Sequence, residues 1–170
     1  MRFLLDKSKI WGYDFEVFSK VPDNGWWCVT FINYQDRDNI ITIVNNRDEF
    51  IKWYNLHKDD IVIGYNSRQY DQYIFKGILD GMNPSYINDE LIANNKKGFQ
   101  VVRNAKKYSL NNYDIIIKDA SLKQLEAFMG QTIKESDVPF DIDRPLTNEE
   151  IKEIIKYNIH DVEESLLVLD

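Results

Sequence analysis

Two carboxylates near the start of the chain are spaced so that they lie side by side. Asp14 and Glu16 are separated by one residue within Ile10–Phe18, a segment that reads as a β-strand. Because side chains on a strand alternate between its two faces, the two acids share one face, about 7 Å apart. Neighbouring carboxylates repel each other unless a cation lies between them. The pattern indicates either a cation site or a face that is simply exposed to water.

A third acid, Asp71, occupies a position that its surroundings assign to the core. The helix expected after Tyr65 carries apolar residues at helical spacing, namely Ile74, Phe75, Ile78 and Leu79. Counting back along that stripe by three and four residues leads to Asp71. An unpartnered buried carboxylate costs several kcal/mol, so Asp71 needs a partner. A metal ion satisfies that need, and so does a helix cap or a salt bridge.

A fourth acid lies on the last helix, which a capping-box pair, Thr147 and Glu150, predicts to start at Thr147. Its expected apolar stripe consists of Ile151, Ile155, Ile159, Val162, Leu166 and Leu169. Tyr157 and Asp161, one turn apart, project together from the edge of this stripe, where a packed face would meet a cleft.

The remaining potential ligands favour a site made of oxygen atoms alone. His57 and His160 are interpreted as surface residues, and Cys28 is the only cysteine. A single cysteine forms neither an internal disulfide nor a cysteine-rich zinc site, which is typical of a reducing cytoplasm. Carboxylate sites select hard cations such as Mg²⁺ or Mn²⁺ over zinc.

The elements that must position these residues indicate an α/β domain with a mixed sheet. Strands are predicted at Ile10–Phe18, Trp26–Asn33 and 39–44, forming an antiparallel meander, and at Ile61–Tyr65 and 113–118. Helices are predicted at 48–57, at 67–79 with Ser67 as the N-cap, at 84–94, at 121–129 and from Thr147 onward. The 170 residues have the size of one domain, and the last helix has no stop signal before Asp170, so we expect the chain to be part of a longer protein.

The net charge of the chain bears on whether it binds nucleic acid, and how. The net charge of −7 argues against a protein that coats DNA without specificity, but a carboxylate-based nuclease remains compatible with it. One segment between Leu91 and Tyr113 has no acidic residue and carries five cations: Lys96, Lys97, Arg103, Lys106 and Lys107. It is either a solvated loop or an arm that contacts phosphates. No apolar stretch is long enough to span a membrane, and no secretory signal is recognised.

Three motifs in the order expected for one family account for the four acids. Residues 13–18, Tyr-Asp-Phe-Glu-Val-Phe, resemble the first exonuclease motif of the DEDD superfamily. Residues 64–71, with an Asn followed by an aromatic–Asp pair, resemble the second, and residues 157–161 resemble the Tyr-x-x-x-Asp motif of its tyrosine subfamily. The similarity spans nearly the whole chain and is greatest to proofreading exonuclease domains of phage-type DNA polymerases.

The resemblance implies a ribonuclease H-like fold, with a mixed five-stranded sheet and flanking helices, and hydrolysis assisted by two divalent cations, Mg²⁺ or Mn²⁺. Asp14 would bridge both metals. Glu16 and Asp161 would complete the site of the metal that binds the attacking water. Asp71 would hold the second metal, and Tyr157 would orient the water.

The resemblance also implies a substrate, a partner and a location. Asn66 and Phe18 would contact the terminal nucleotides, with Phe18 stacking on a base. The substrate would be the 3′ end of single-stranded or frayed DNA, and a DNA polymerase domain would be linked to the chain. The expected location is the cytoplasm, that of the host if the gene is phage-encoded. Two alternatives stay open: a 3′→5′ exoribonuclease of the same superfamily, and a catalytically silent nucleic-acid-binding module.

Overall fold

A five-stranded mixed sheet forms the centre of the protein. The structure is a computed structural model that describes residues 5–115 and 136–170. The strands are β1 (Ile10–Phe18), β2 (Trp26–Asn33), β3 (Ile40–Val44), β4 (Ile61–Tyr65) and β5 (Asn111–Ile115), in the order β3-β2-β1-β4-β5. β1, β2 and β3 are antiparallel neighbours, whereas β4 and β5 run parallel to β1. The predicted α/β class, mixed sheet and antiparallel meander are confirmed.

Helices flank the sheet. Those in the described residues are α1 (Arg47–His57), α2 (Asp71–Leu79), α3 (Pro84–Ile92), α4 (Gly98–Val101) and α5 (Asn148–Leu167), with short 3₁₀ turns at Lys7–Lys9 and Ala105–Lys107. The helix predicted at 121–129 and the end of the strand predicted at 113–118 lie outside the described residues. None of the helices found in 5–115 and 136–170 has the length and apolarity needed to cross a membrane.

Side chains on the two faces of β1 pack against different parts of the protein. Trp11, Tyr13, Phe15 and Val17 face the main core, which includes Phe50 of α1 and Phe75 of α2. The opposite face carries Asp14 and Glu16, and α5 contacts that side of the sheet through Val162 and Leu166, which pack against Ile32 of β2. The two acids are therefore half-buried beside a helix rather than spread on an open solvent face.

The start of α2 differs from the sequence prediction. Ser67 is not the N-cap, because its hydroxyl is fully buried and donates to Gly64 O at 3.3 Å and to Asn112 Oδ1 at 3.1 Å. With this hydroxyl committed to β4 and β5, residues 67–70 form a turn and α2 begins at Asp71. Because α2 begins later in the chain than predicted, the Asp71 carboxylate lies in the first turn of the helix.

The start of α5 follows the prediction, and its buried face follows it in part. Thr147 Oγ1 accepts from Glu150 N at 3.1 Å, and a Glu150 carboxylate oxygen accepts from Thr147 N at 2.9 Å, which confirms the capping box. The buried positions are Ile154, Asn158, Val162, Glu164, Ser165 and Leu166, whereas the expected stripe ran through Ile151, Ile155 and Ile159. Val162 and Leu166 of the expected stripe are buried, and its three isoleucines are partly buried. Three buried positions hold polar side chains, which a search for apolar periodicity passes over.

Gly12 lets α5 lie close to β1. A Cβ added to this glycine would lie 2.8 Å from Leu166 Cγ and 3.0 Å from Val162 Cγ1, closer than packed carbon atoms approach each other. The missing side chain thus sets the separation between the helix that carries Asp161 and the strand that carries Asp14.

Substituting Gly12→Ala is expected to lower the free energy of unfolding by about 1–3 kcal/mol, the usual cost of overpacking a core. The physical cause is the clash with Leu166, so the penalty should shrink when Leu166→Ala is present in the same chain. Urea unfolding of the two single variants and the double variant measures this coupling. Strict additivity of the two single effects would contradict the proposed close contact.

Candidate metal-binding site and adjoining pocket

Three carboxylates from two elements converge on one point. Asp14 and Glu16 on β1 and Asp161 on α5 each offer an oxygen atom, and these atoms all lie within 4.8 Å of one another. Ligands of a single Mg²⁺ lie about 2.1 Å from the ion, so opposite ligands are about 4.2 Å apart. The three side chains would have to bring their oxygen atoms closer together to hold one hard cation.

Asp71 lies beside this cluster. Its Oδ1 accepts from Phe15 N at 3.0 Å, and Phe15 is the residue between the two acids of β1. The side chain is 4% exposed, and its position in the first turn of α2 is one where helix dipoles favour a negative charge. One oxygen of the fourth carboxylate is thus held by the backbone of the strand that supplies the first two.

The proximity of the acids makes their ionisation unfavourable. The pKa of Asp14 lies well above its ordinary range, first because of burial and then because of the charges of Asp71, Glu16 and Asp161 and a hydrogen bond with Glu16. Burial likewise raises the pKa of Asp71 to about 7, although the hydrogen bond from Phe15 N opposes the shift. A bound cation would offset this repulsion, since opposite charge favours the ionised form.

Sequence reasoning missed Asn158, which contacts Asp14 directly. This residue of α5 is fully buried, and its Nδ2 donates to both Asp14 O and Asp14 Oδ2 at 3.1 Å. The thiol of Cys28, also fully buried, lies 3.7 Å from Asn158 Oδ1. The available signal was a polar residue with apolar neighbours one turn away on either side, at Ile154 and Val162.

A pocket of about 470 Å³ adjoins the carboxylates. Its lining combines two of the acids with aromatic, amide and aliphatic side chains, including Glu16, Asp71, Tyr65, Tyr70, Asn66, Ile92 and Phe140. Asn66 has φ of 53°, a left-handed conformation that asparagine adopts more readily than most residues. Tyr70 is held by a hydrogen bond from its hydroxyl to Asn88 Oδ1 at 2.6 Å. The predicted nucleotide contact Asn66 thus lies in the same pocket as Glu16 and Asp71.

Phe18 is not exposed for stacking on a base in this structure, and its predicted contact with a nucleotide stays a prediction. Its ring is 1% exposed and lies between Trp26, at a centroid distance of 5.8 Å, and Phe140, at 4.9 Å. Because Phe140 covers it, a base could reach Phe18 only by displacing that ring. Phe140 is 61% exposed and presents the aromatic surface to the pocket instead.

The positions of Tyr157 and of the two histidines differ from the sequence predictions. Tyr157 is half-buried and lines a groove with His160 and Glu163, and the described lining of that groove includes none of the four acids. Its role in orienting water stays a prediction. Neither histidine is a freely exposed surface residue, because His57 pairs with Asp60 at 2.9 Å and His160 is half-buried.

The five cations of the basic segment separate into groups. Lys96 and Lys97 line a groove of about 200 Å³ that shares Asn66, Tyr70 and Ile92 with the larger pocket. Lys106 and Lys107 form part of a 3₁₀ turn near Asp80, which follows the last residue of α2, and Arg103 is exposed between the two groups along the chain. At 1.5 Å per residue, the ends of α2 are about 13 Å apart. Lys96 and Lys97 therefore adjoin the acidic pocket, whereas Lys106 and Lys107 lie near the far end of α2.

The strand order and the grouped carboxylates define an α/β protein with an acidic site at the central strand. Among solved structures, the chain is similar to Phi29 DNA polymerase in an orthorhombic crystal form, with a TM-score of 0.54 and 16% identity. It is also similar to Phi29 DNA polymerase complexed with primer-template DNA, with a TM-score of 0.53 and 16% identity.

Both matches cover 94% of this chain and 30% of the polymerase chain, so the protein spans about a third of the length of its structural neighbours. No family model and no curated protein matches the sequence. At this identity the likeness concerns the fold, and the predicted ribonuclease H-like fold is confirmed.

Asp71→Asn should change how the stability of the metal-free protein depends on pH. With a folded-state pKa of about 7, Asp71 holds its proton in the folded state after the unfolded chain has lost it, so stability falls as pH rises toward 7. Asparagine still accepts from Phe15 N and carries no charge. We expect the variant to be more stable than wild type at pH 8 by about 1–4 kcal/mol, from roughly 1.4 kcal/mol per pKa unit.

Thermal unfolding in EDTA between pH 4 and pH 8 measures this difference. Asp38→Asn is the matched control, because Asp38 is exposed in the turn between β2 and β3. Parallel pH profiles for wild type and Asp71→Asn would show that the Asp71 carboxylate does not carry the repulsion.

Proposed function

We propose that this chain is a metal-dependent 3′→5′ exonuclease domain that removes nucleotides from single-stranded or frayed DNA ends. The observation that carries the proposal is the convergence of Asp14, Glu16 and Asp161 within 4.8 Å, with Asp71 bonded to the intervening Phe15 amide. These acids come from three motifs widely separated in sequence. Gathering them in one half-buried place is unfavourable unless positive charge is supplied.

The donor set fits two hard divalent cations, Mg²⁺ or Mn²⁺. Asp14, Glu16 and Asp161 would hold one of them, and Asp71 together with Asp14 would hold the other. When bound, a pair of such cations activates a water nucleophile and stabilises the leaving oxygen of a phosphodiester. The protein's own contribution is to fix the carboxylates, which it does through β1, the first turn of α2 and α5.

The pocket beside Glu16 and Asp71 supplies a place for the terminal nucleotide. Its volume of about 470 Å³ suits a single unpaired nucleotide, whereas a stacked base pair would not enter. Phe140 offers an exposed ring for base stacking, and Asn66 offers an amide for polar contacts. Stacking tolerates every base, so sequence preference should be slight.

The groove with Lys96 and Lys97 supplies a path for the strand that leads to the pocket. It shares Asn66 and Tyr70 with the pocket, so a strand entering there would bring its phosphates next to the two lysines. Lys96 forms an ion pair with Glu90, so Lys97 is the lysine whose positive charge would offset the repulsion between a strand and a protein with a net charge of −7.

Proofreading for a DNA polymerase is the biological role that the structural neighbours favour. They are DNA polymerases, one of them complexed with primer-template DNA, and the chain spans 30% of their length. We infer that the domain works with a polymerase domain, linked covalently or bound, which delivers a frayed primer end.

Polarity and substrate are tested by digesting matched single-stranded DNA and RNA labelled at either end, with Mg²⁺ or Mn²⁺ present. A 3′→5′ exonuclease releases labelled mononucleotide at once from 3′-labelled DNA and shortens 5′-labelled DNA gradually. The reverse pattern would refute the polarity. Preferential degradation of RNA would favour the exoribonuclease alternative, and binding of DNA without metal-dependent cleavage would favour a silent module.

Asp14→Ala is expected to abolish cleavage, with a loss of about 10³-fold or more, the scale seen when an essential electrostatic group is removed. The fold should persist, because the substitution relieves repulsion at a half-buried site. Single-turnover assays give the rate, and thermal unfolding in EDTA should give a melting temperature at or above that of wild type. Full activity in the purified variant would end the two-metal proposal.

Lys97→Ala and Lys107→Ala form a matched pair for the strand path. Lys97 lines the groove beside the pocket, whereas Lys107 lies near Asp80, past the other end of α2. We expect Lys97→Ala to raise KM for single-stranded DNA several-fold and to weaken its salt dependence, since one phosphate contact is lost. Lys107→Ala should leave both unchanged. Equal effects of the two substitutions would refute this path.

A further inference from the structure

The carboxamide of Asn158 joins α5 to the central carboxylate of the site. The residue is fully buried, and its Nδ2 lies 3.1 Å from both the backbone oxygen and the Oδ2 atom of Asp14. It is three residues before Asp161 on the same helix, so one turn of α5 delivers both groups to the strand.

The contacts determine which way the amide faces. Both Asp14 atoms are hydrogen-bond acceptors, so only the NH₂ side of the amide satisfies them. The oxygen side then faces Cys28, whose fully buried thiol lies 3.7 Å away and has a proton to donate. Cys28, Asn158 and Asp14 form a short chain in which every donor meets an acceptor.

We propose that Asn158 is a positioning residue that holds the Asp14 carboxylate in place for cation binding, with Cys28 fixing the orientation of the amide. The inference rests on the proposed function, because it assumes that Asp14 binds a cation. The bond to Asp14 Oδ2 restricts rotation of the carboxylate. The bond to Asp14 O ties α5 to β1, which sets the distance between Asp14 and Asp161.

The chemistry of this position favours asparagine. A lysine or arginine here would donate to Asp14 but would bring a positive charge that competes with the cation. An aspartate would match the size and add to the repulsion among the acids. The amide donates hydrogen bonds and carries no net charge, so it organises the carboxylate and leaves the site free for a divalent ion.

The test is a calorimetric titration of Mn²⁺ into the full chain without DNA, for wild type, Asn158→Leu and Asn33→Leu. Leucine has the branched shape of asparagine, is larger, and cannot donate. Asn33 is the matched control, because it is 4% exposed and bonds to Ser8 O at 2.7 Å, away from the acids. We expect Asn158→Leu to weaken Mn²⁺ binding by about 10-fold or more, the range typical of partners of metal ligands, and Asn33→Leu to leave affinity unchanged.

A second pair of variants keeps the test decisive if Asn158→Leu does not fold. Cys28→Ala removes the donor to the amide, and Cys28→Ser restores one, so the alanine should bind Mn²⁺ more weakly than the serine. Wild-type affinity in Asn158→Leu, or in Cys28→Ala if Asn158→Leu does not fold, would overturn the positioning role alone. Absence of Mn²⁺ binding by wild type would overturn the proposed function, and this inference with it.

Discussion

Repulsion among four carboxylates is the constraint around which this protein is organised. Burial raises the pKa of Asp14 well above its ordinary range, and the charges of Asp71, Glu16 and Asp161 raise it further. This repulsion lowers the free energy of unfolding. Burial of the aromatic core on the other side of the sheet offsets the loss. The site is a place where local stability is lost so that a ligand can restore it.

Three neutral features in the described residues help to hold the acids together. The backbone amide of Phe15 anchors Asp71, the side-chain amide of Asn158 anchors Asp14, and the absent side chain of Gly12 brings α5 near the strand. Because the amides that bond to the carboxylates carry no net charge, the carboxylates keep the negative charge that attracts a cation. A lysine or arginine in the same place would cancel that charge. The same reasoning explains why an acidic protein is compatible with a polyanionic substrate: the bound metals, together with lysines at the margin, would meet the phosphates.

Features governed by local patterns were predictable from the sequence. The bounds of β1, β2 and β4 coincide with the prediction, because strand alternation and turn residues mark them. The buried Asp71 followed from helical periodicity, and the cap of α5 followed from Thr147 and Glu150.

Features set by tertiary contacts were not predictable. Ser67 fits a helix cap by type, but its hydroxyl bonds to Asn112, distant in sequence. Phe18 matches a motif position, but a residue more than a hundred positions later covers its ring. The contact between Asn158 and Asp14 likewise joins residues 144 positions apart, which no spacing rule in a single sequence can reveal.

The stack of Phe140 on Phe18 has a consequence for how the pocket would select its occupant. Phe18, which packs against Trp26, supports the inner face of the Phe140 ring, so the rotation of that ring is restricted before any guest arrives. Little side-chain entropy would then be lost when a flat guest settles on the outer face. Affinity at that ring would depend on the ring area of the guest, so the slight preference among bases should favour purines over pyrimidines.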